Sequence, residues 1–207
     1  MKNLHLAAVS FIVSLSLVSS NIQAANNWVE NHHKTSATLI FLKGVLDVCQ
    51  TVMAGFQGVR EDDLHSKVID AGNNATCQAD PICSTNTKTI GDRTKWAGPL
   101  AWSSLPSGAI ASGLDIGAFT LVLLKHPQTA GLLAAISIFP TIYSLGANAA
   151  IFAADSQSQS KNTEGLDGST TADIRLTWID SAHSLTFSGV GTVATLVTLI
   201  VAHVVGG

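Results

Sequence analysis

The sequence predicts an all-α integral membrane protein: a four-helix bundle behind an N-terminal signal peptide. Three observations predict it. Charged residues make up 12% of the 207 residues, about half the ~25% usual for soluble domains. Residues 126–154 and 181–207 contain no Asp, Glu, Lys or Arg. Four apolar stretches follow residue 25, each of a length that fits a bilayer. A soluble fold needs charge on every outward face, so an ordinary cytosolic domain is excluded. High apolar content with a net charge of -3 excludes a disordered chain. Eleven basic against 14 acidic residues, with no basic stripe, argue against a nucleic-acid partner.

Residues 1–25 read as the signal peptide. Lys2 supplies the positive start, Leu6 to Val18 the apolar core, and Ile22-Gln23-Ala24-Ala25 the small residues for an expected cleavage after Ala24 or Ala25, with an uncleaved anchor as the alternative. The core is short of the ~20 residues a spanning helix wants. Residues 26–207 then form a single membrane domain.

Its helices are expected at about 37–56, 107–124, 130–154 and 185–205. At 1.5 Å per residue these stretches cover roughly 27 to 37 Å, matching a hydrocarbon core of ~30 Å. The runs are continuously apolar and do not alternate, so they read as helices rather than barrel strands. Between the first two lies an expected loop of about 50 residues, 57–106, with mixed charge. Lys125-His126-Pro127-Gln128-Thr129 is a tight turn that makes the second and third helices a hairpin. Residues 155–184 are an expected loop, polar at first and amphipathic over Ile174–Ile179. Trp96 and Trp102 flank Pro99 and suit the interfacial aromatic belt.

Lys and Arg divide unevenly. Two (Lys34, Lys125) lie on the side of the mature N-terminus, and seven lie in 57–106 and 155–184. The positive-inside rule places the seven in the cytoplasm. Cleavage of a signal places the mature N-terminus outside, in agreement. Two features pull the other way. Asn74-Ala75-Thr76 is a glycosylation sequon. Cys77 and Cys83 are a candidate disulfide, which needs an oxidising compartment. With three cysteines in all, at least one thiol is free.

Lys43, Asp47 and Asp115 are out of place within apolar segments, where an ionisable group costs roughly 2.5 kcal/mol or more at the bilayer centre. Lys43 and Asp47 are four apart and can pair on one helical face. The three form an intramembrane polar cluster with three readings: a proton or ion relay, a clasp between the first two helices, or an interfacial first segment from which Lys43 snorkels. Ala109, Gly113 and Gly117 recur every four residues, the spacing of a close-packing helix face within or between chains. Pro140 lacks an amide hydrogen and crowds the carbonyl of Ile136, so a kink is expected there.

Catalytic patterns are missing. There is no HExxH, GxSxG, P-loop or CxxC. Gly189-Val190-Gly191-Thr192-Val193-Ala194 matches a dinucleotide fingerprint in letters, but no strand precedes it and no ribose-binding acid follows. The expectation is no enzyme, no cofactor and no metal. Lipid is the first partner, followed by other membrane proteins or a second copy of the chain. The expected place is a plasma membrane or a bacterial inner membrane, crossed several times.

Two resemblances bear on this. The loop lengths resemble those of claudin-like tetraspan proteins. The chain departs from that family in its tryptophans, which follow Cys77 and Cys83 rather than precede them, and in its N-terminal signal. Residues Gly113 to Ala154 are a Gly-rich apolar helix ending in Lys125-His126-Pro127-Gln128, then a helix bearing Phe139-Pro140-Thr141-Ile142. This resembles the helical hairpin of small inner-membrane components of type IVB secretion and conjugation systems. That likeness implies a non-catalytic subunit of a bacterial membrane complex, with the basic hairpin turn in the cytoplasm. A channel or transporter component using Lys43, Asp47 and Asp115 is the competing expectation.

Overall fold

A computed structural model describes residue 25 and residues 27–206, without the side chains of 199, 202, 203, 205 and 206. The expected signal peptide, apart from Ala25, lies outside the described residues. The described chain is helical with no strand. After a helical stretch at 27–31 the elements are α1 (His33–Asn73), α2 (Ala75–Ala79), α3 (Pro81–Leu123), α4 (Pro127–Ile136), α5 (Ile138–Lys161) and α6 (Gly168–Gly206). Three stretches are long and apolar enough to cross a membrane: α1, α3, and α4 with α5. The expected fourth span, 185–205, falls within α6, partly beyond the described side chains.

The helices outrun the apolar segments. The expected loop 57–106 is not a loop: α1 continues through it to Asn73, and α3 begins at Pro81. Only 162–167 of the expected loop 155–184 lies outside a helix. Burial gives the reason. The inward positions of α1 are Ser36, Ile40, Lys43, Asp47, Gln50, Ala54, Gln57, Glu61, Leu64 and Val68. Their spacing alternates between three and four residues, the repeat of a coiled-coil seam. It runs unbroken from the apolar part into the charged part. On α3 the same repeat links Cys83, Thr87, Ile90, Thr94, Ala97, Ala101, Ser104, Gly108, Ala111, Asp115, Ala118 and Val122. Packing sustains a helix over its whole seam, whatever surrounds its other face.

The segment expected at 130–154 is interrupted. α4 ends at Ile136, Ser137 sits between, and α5 carries Pro140 in its first turn. Ser137 still donates its amide to the carbonyl of Leu133 at 3.1 Å. α4 opens with Pro127, whose missing amide hydrogen costs nothing at that position.

The chain divides into two compact units. Among the described residues the first comprises 25–46, 110–140 and 191–206. Its core is Trp28, Val29, Ile40, Ala118, Val122 and Ala130, with Phe41 and Phe119 stacked at a tilt 5.2 Å apart. The second comprises 47–109 and 141–190. Its apolar clusters are smaller, Leu64, Val68, Ile90 and Ile174 in one, Ala97, Ala101 and Ile151 in the other. Within this second unit, contacts join each helix to the next. The indole of Trp102 donates to Asp62 at 2.7 Å, Ser103 meets Tyr143 at 2.7 Å, and Trp178 donates to Ser156 at 3.1 Å. Arg60 returns to Asp180 at 3.0 Å, closing α6 onto α1. Gly58 makes room for this: a Cβ there would stand 2.8 Å from the Trp102 ring.

Candidate functional site

The first unit holds a buried ion pair. Lys43 on α1 donates to the Asp115 carboxylate on α3, with side-chain exposures of 3% and 0%. Both residues occupy seam positions, so the helices aim them at each other. Gly44 allows the approach: a Cβ there would already touch Asp115 at 3.4 Å. In the structure Lys43 reaches across to Asp115 on the neighbouring helix. Asp47 is fully buried on the same helical face, in the second unit. A cavity of about 10 Å³ borders the pair, lined among others by Trp28, Ile40, Ala134 and Thr195. That is room for one water at most.

The second unit holds a larger ionic layer, which the apolar segments of the sequence do not reveal. Arg93 on α3 donates to Asp155 on α5 and, at 3.4 Å, to Glu61 on α1. The three are 7%, 0% and 0% exposed. Ser181 on α6 lies within hydrogen-bonding reach of Asp155. Glu61 stands beyond the apolar stretch 37–56. Burial, then the neighbouring Asp155 carboxylate, push its carboxyl up to about 8. Ordinary charged residues surround these positions in the sequence, so composition does not mark them. Their signal is the seam: Gln57, Glu61 and Leu64 continue the register of Lys43, Asp47 and Gln50.

The rest of the interior is also polar. Gln50, Gln57, Ser144, Asn148 and Ser184 are buried seam residues of the second unit. Asn148 donates to the Ser184 carbonyl at 3.2 Å. Outside, the pattern inverts. Phe41, Leu42, Val45, Val48, Val52, Phe56 and Val59 are all exposed on α1.

Cys77 and Cys83 form a disulfide, and Cys49 remains a free thiol. The bridge lines a cavity of about 250 Å³ with Asn74, Asp80, Gly165, Leu166 and Asp167. Asn74 caps α2 by accepting from the Thr76 amide at 2.9 Å. Gly165 has φ +77°, and a Cβ there would lie 3.1 Å from the Cys83 nitrogen. Asp167 accepts from the Thr170 amide at 2.8 Å, which holds its carboxyl below the ordinary range.

Most of the small-residue stripe does not serve as a packing face within the described chain. Ala109 and Gly113 face outward, and nothing lies within 4 Å of a Cβ placed on Gly113. Only Gly117 packs inside, with a Cβ 3.3 Å from Leu133. The inward seam of α3 runs instead through Gly108, Ala111, Asp115 and Ala118.

The chain matches no known protein family, and no curated protein or solved structure is similar to it.

Proposed function

We propose that this chain is a multi-pass membrane protein whose four long helices pack as a bundle and serve as a non-catalytic structural or interaction subunit of a membrane assembly. The observation that carries this is the inverted polarity of α1. Phe41, Val45, Val48, Val52 and Phe56 are exposed, while Lys43, Asp47, Gln50 and Gln57 are buried. Water selects against that arrangement and hydrocarbon selects for it. Lys43–Asp115 then acts as a clasp, because a pair with room for one water at most is poorly placed to pass ions. The likeness of the sequence over Gly113–Ala154 to type IVB secretion components is our ground for reading the assembly as a bacterial inner-membrane complex. The outward Ala109 and Gly113 suit contact with another membrane helix.

The disulfide favours an oxidising compartment for the end of the molecule carrying residues 74–83. This reverses the orientation expected from the charge count. It agrees with a cytoplasmic Lys125-His126 turn, as the resemblance implies. Charges in long segments translocate largely regardless of sign.

A channel or transporter component is the second reading. The fully buried ionisable groups of the Glu61–Arg93–Asp155 layer favour it. Asp115→Asn separates the two. The clasp predicts loss of the protein, or of its assembly on native gels, from alkali-washed membranes. A normal protein level with abolished ion flux across proteoliposomes would replace the first reading by the second.

A further inference from the structure

We infer that Glu61 and Asp155 share one proton beside Arg93, making this layer a buried proton-binding site that empties on alkalinisation. The site lies wholly in the second unit.

One guanidinium faces two carboxyl groups, all three buried. If both carboxyls were ionised, the interior would keep a net negative charge, which is costly away from water. One proton brings the layer to neutrality.

The hydrogen bonds point to the same place. Arg93 serves one oxygen of each carboxyl, Oε2 of Glu61 and Oδ1 of Asp155. The other two, Oε1 of Glu61 and Oδ2 of Asp155, are buried without a hydrogen bond, the Ser181 hydroxyl donating to the Trp178 carbonyl. The two carboxyls are within hydrogen-bonding reach of each other. A proton on either would donate to its neighbour and satisfy both. Paired carboxylates that share a site commonly behave this way, one of the two holding a proton well above its usual range.

Among the described residues the other cations nearby are engaged elsewhere, and the His65 ring on α1 meets the Thr94 hydroxyl of α3 at 2.7 Å. On α1 the adjacent Asp62 adds negative charge, and Arg60 is held by Asp180 of α6. Lys67 is held by Asp173 and Asp63. On α3 the facing cation is Arg93. On α5 and α6 the facing groups are Asp155 itself and the Ser181 hydroxyl. Among the described residues no three His, Cys, Asp or Glu side chains gather to hold a metal ion, so the ligand is a proton exchanged with water. Uptake takes the layer from a net charge of minus one to zero, with no other bond made or broken.

The test is an infrared pH titration of the full chain in detergent. At about pH 6 the spectrum is expected to contain the carbonyl stretch of a buried protonated carboxylic acid, and at about pH 10 to lose it. Glu61→Gln leaves one carboxylate balanced by Arg93, so the band is expected to vanish at every pH above about 5. Absence of the band from the wild type at about pH 6 overturns the proposal, as does a band unchanged in both Glu61→Gln and Asp155→Asn. A wild-type measurement guards against misfolded variants. Thermal stability is expected to fall as pH rises from about 5 to about 9, and a flat profile there also overturns it. A raised carboxyl contributes stability that is complete below its unfolded value of 4.5 and is lost as pH climbs through about 8.

Discussion

Lys43 pairs with Asp115 in the first unit; Arg93 faces both Glu61 and Asp155 in the second. Both cations are buried on α1–α3 seams, yet the two sites differ in what they do. Lys43–Asp115 joins one helix to another, and its value lies in holding two helices in one register. An unbalanced layer is complete only with a proton, and so it responds to its surroundings. The surroundings differ too. The first unit backs its pair with a large apolar core. The second has smaller apolar clusters and adds ion pairs on its flanks, Arg60–Asp180 and Lys67–Asp173 at 2.5 Å.

The largest effect expected from breaking this contrast is at Asp115. Asp115→Ala removes a buried carboxylate that Lys43 meets and is expected to cost about 3–5 kcal/mol, the usual result of truncating one member of a buried pair. Thermal unfolding in detergent measures it. The double variant Lys43→Met, Asp115→Leu is expected to recover most of the loss, since an apolar pair of similar volume replaces a charge pair at little net cost. It is also expected to keep the pH dependence of the second unit unchanged. A double variant as unstable as the single one would mean that the pair does more than balance itself.

That pair is legible in the sequence because charge is rare within apolar runs, so Lys43, Asp47 and Asp115 stand out. The Glu61–Arg93–Asp155 layer is not. Its members sit where charges are common, and composition there suggests a solvated loop. Hydropathy reads the outer face of a helix, which lipid or water selects, whereas helix length is set by the inner seam. The seam of α1 keeps one register from Ser36 to Val68 while the opposite face changes from Phe41 and Val45 to Asp63 and Asp70. Segments drawn by hydropathy therefore stop near Phe56, though the helix runs to Asn73. The same blindness explains the glycine stripe. Spacing by four is common to every helix face, and only the seam register says that Gly108 and Asp115 point in while Ala109 and Gly113 point out.

A middle-sized effect is expected at the disulfide, which the second unit has and the first lacks. Cys77→Ser opens a short cross-link, with a sequence separation of 6, and is expected to lower stability by about 2 kcal/mol. Proteolysis at residues 74–80 is expected to speed up, with the Lys43–Asp115 region left resistant. Impermeant maleimide on intact cells adds the compartment: labelling of Cys77 and Cys83 is expected only after reduction. Labelling that needs permeabilised cells would return the charged end to the cytoplasm and restore the positive-inside orientation.

The smallest effect concerns Asp167, which starts α6 in the second unit and sharpens the pH comparison by its opposite sign. Its carboxylate accepts from the Thr170 amide and from the Ser169 hydroxyl, both at 2.8 Å. Asp167→Ala is expected to cost about 1 kcal/mol, the ordinary loss for an N-cap. These bonds favour the ionised form and lower the carboxyl below 3.8. Its contribution is therefore complete above pH 3.8 and fades as pH falls through the folded value. Glu61 loses its contribution as pH rises; Asp167 loses its own as pH falls. Asp167→Asn keeps an oxygen acceptor at the cap without a titrating group, so it is expected to retain most of the stability and flatten only the acid limb. Glu61→Gln is expected to flatten only the alkaline limb. If one substitution moved both limbs, the two groups would titrate as a coupled pair, and the buried layer would have to be defined to include the start of α6.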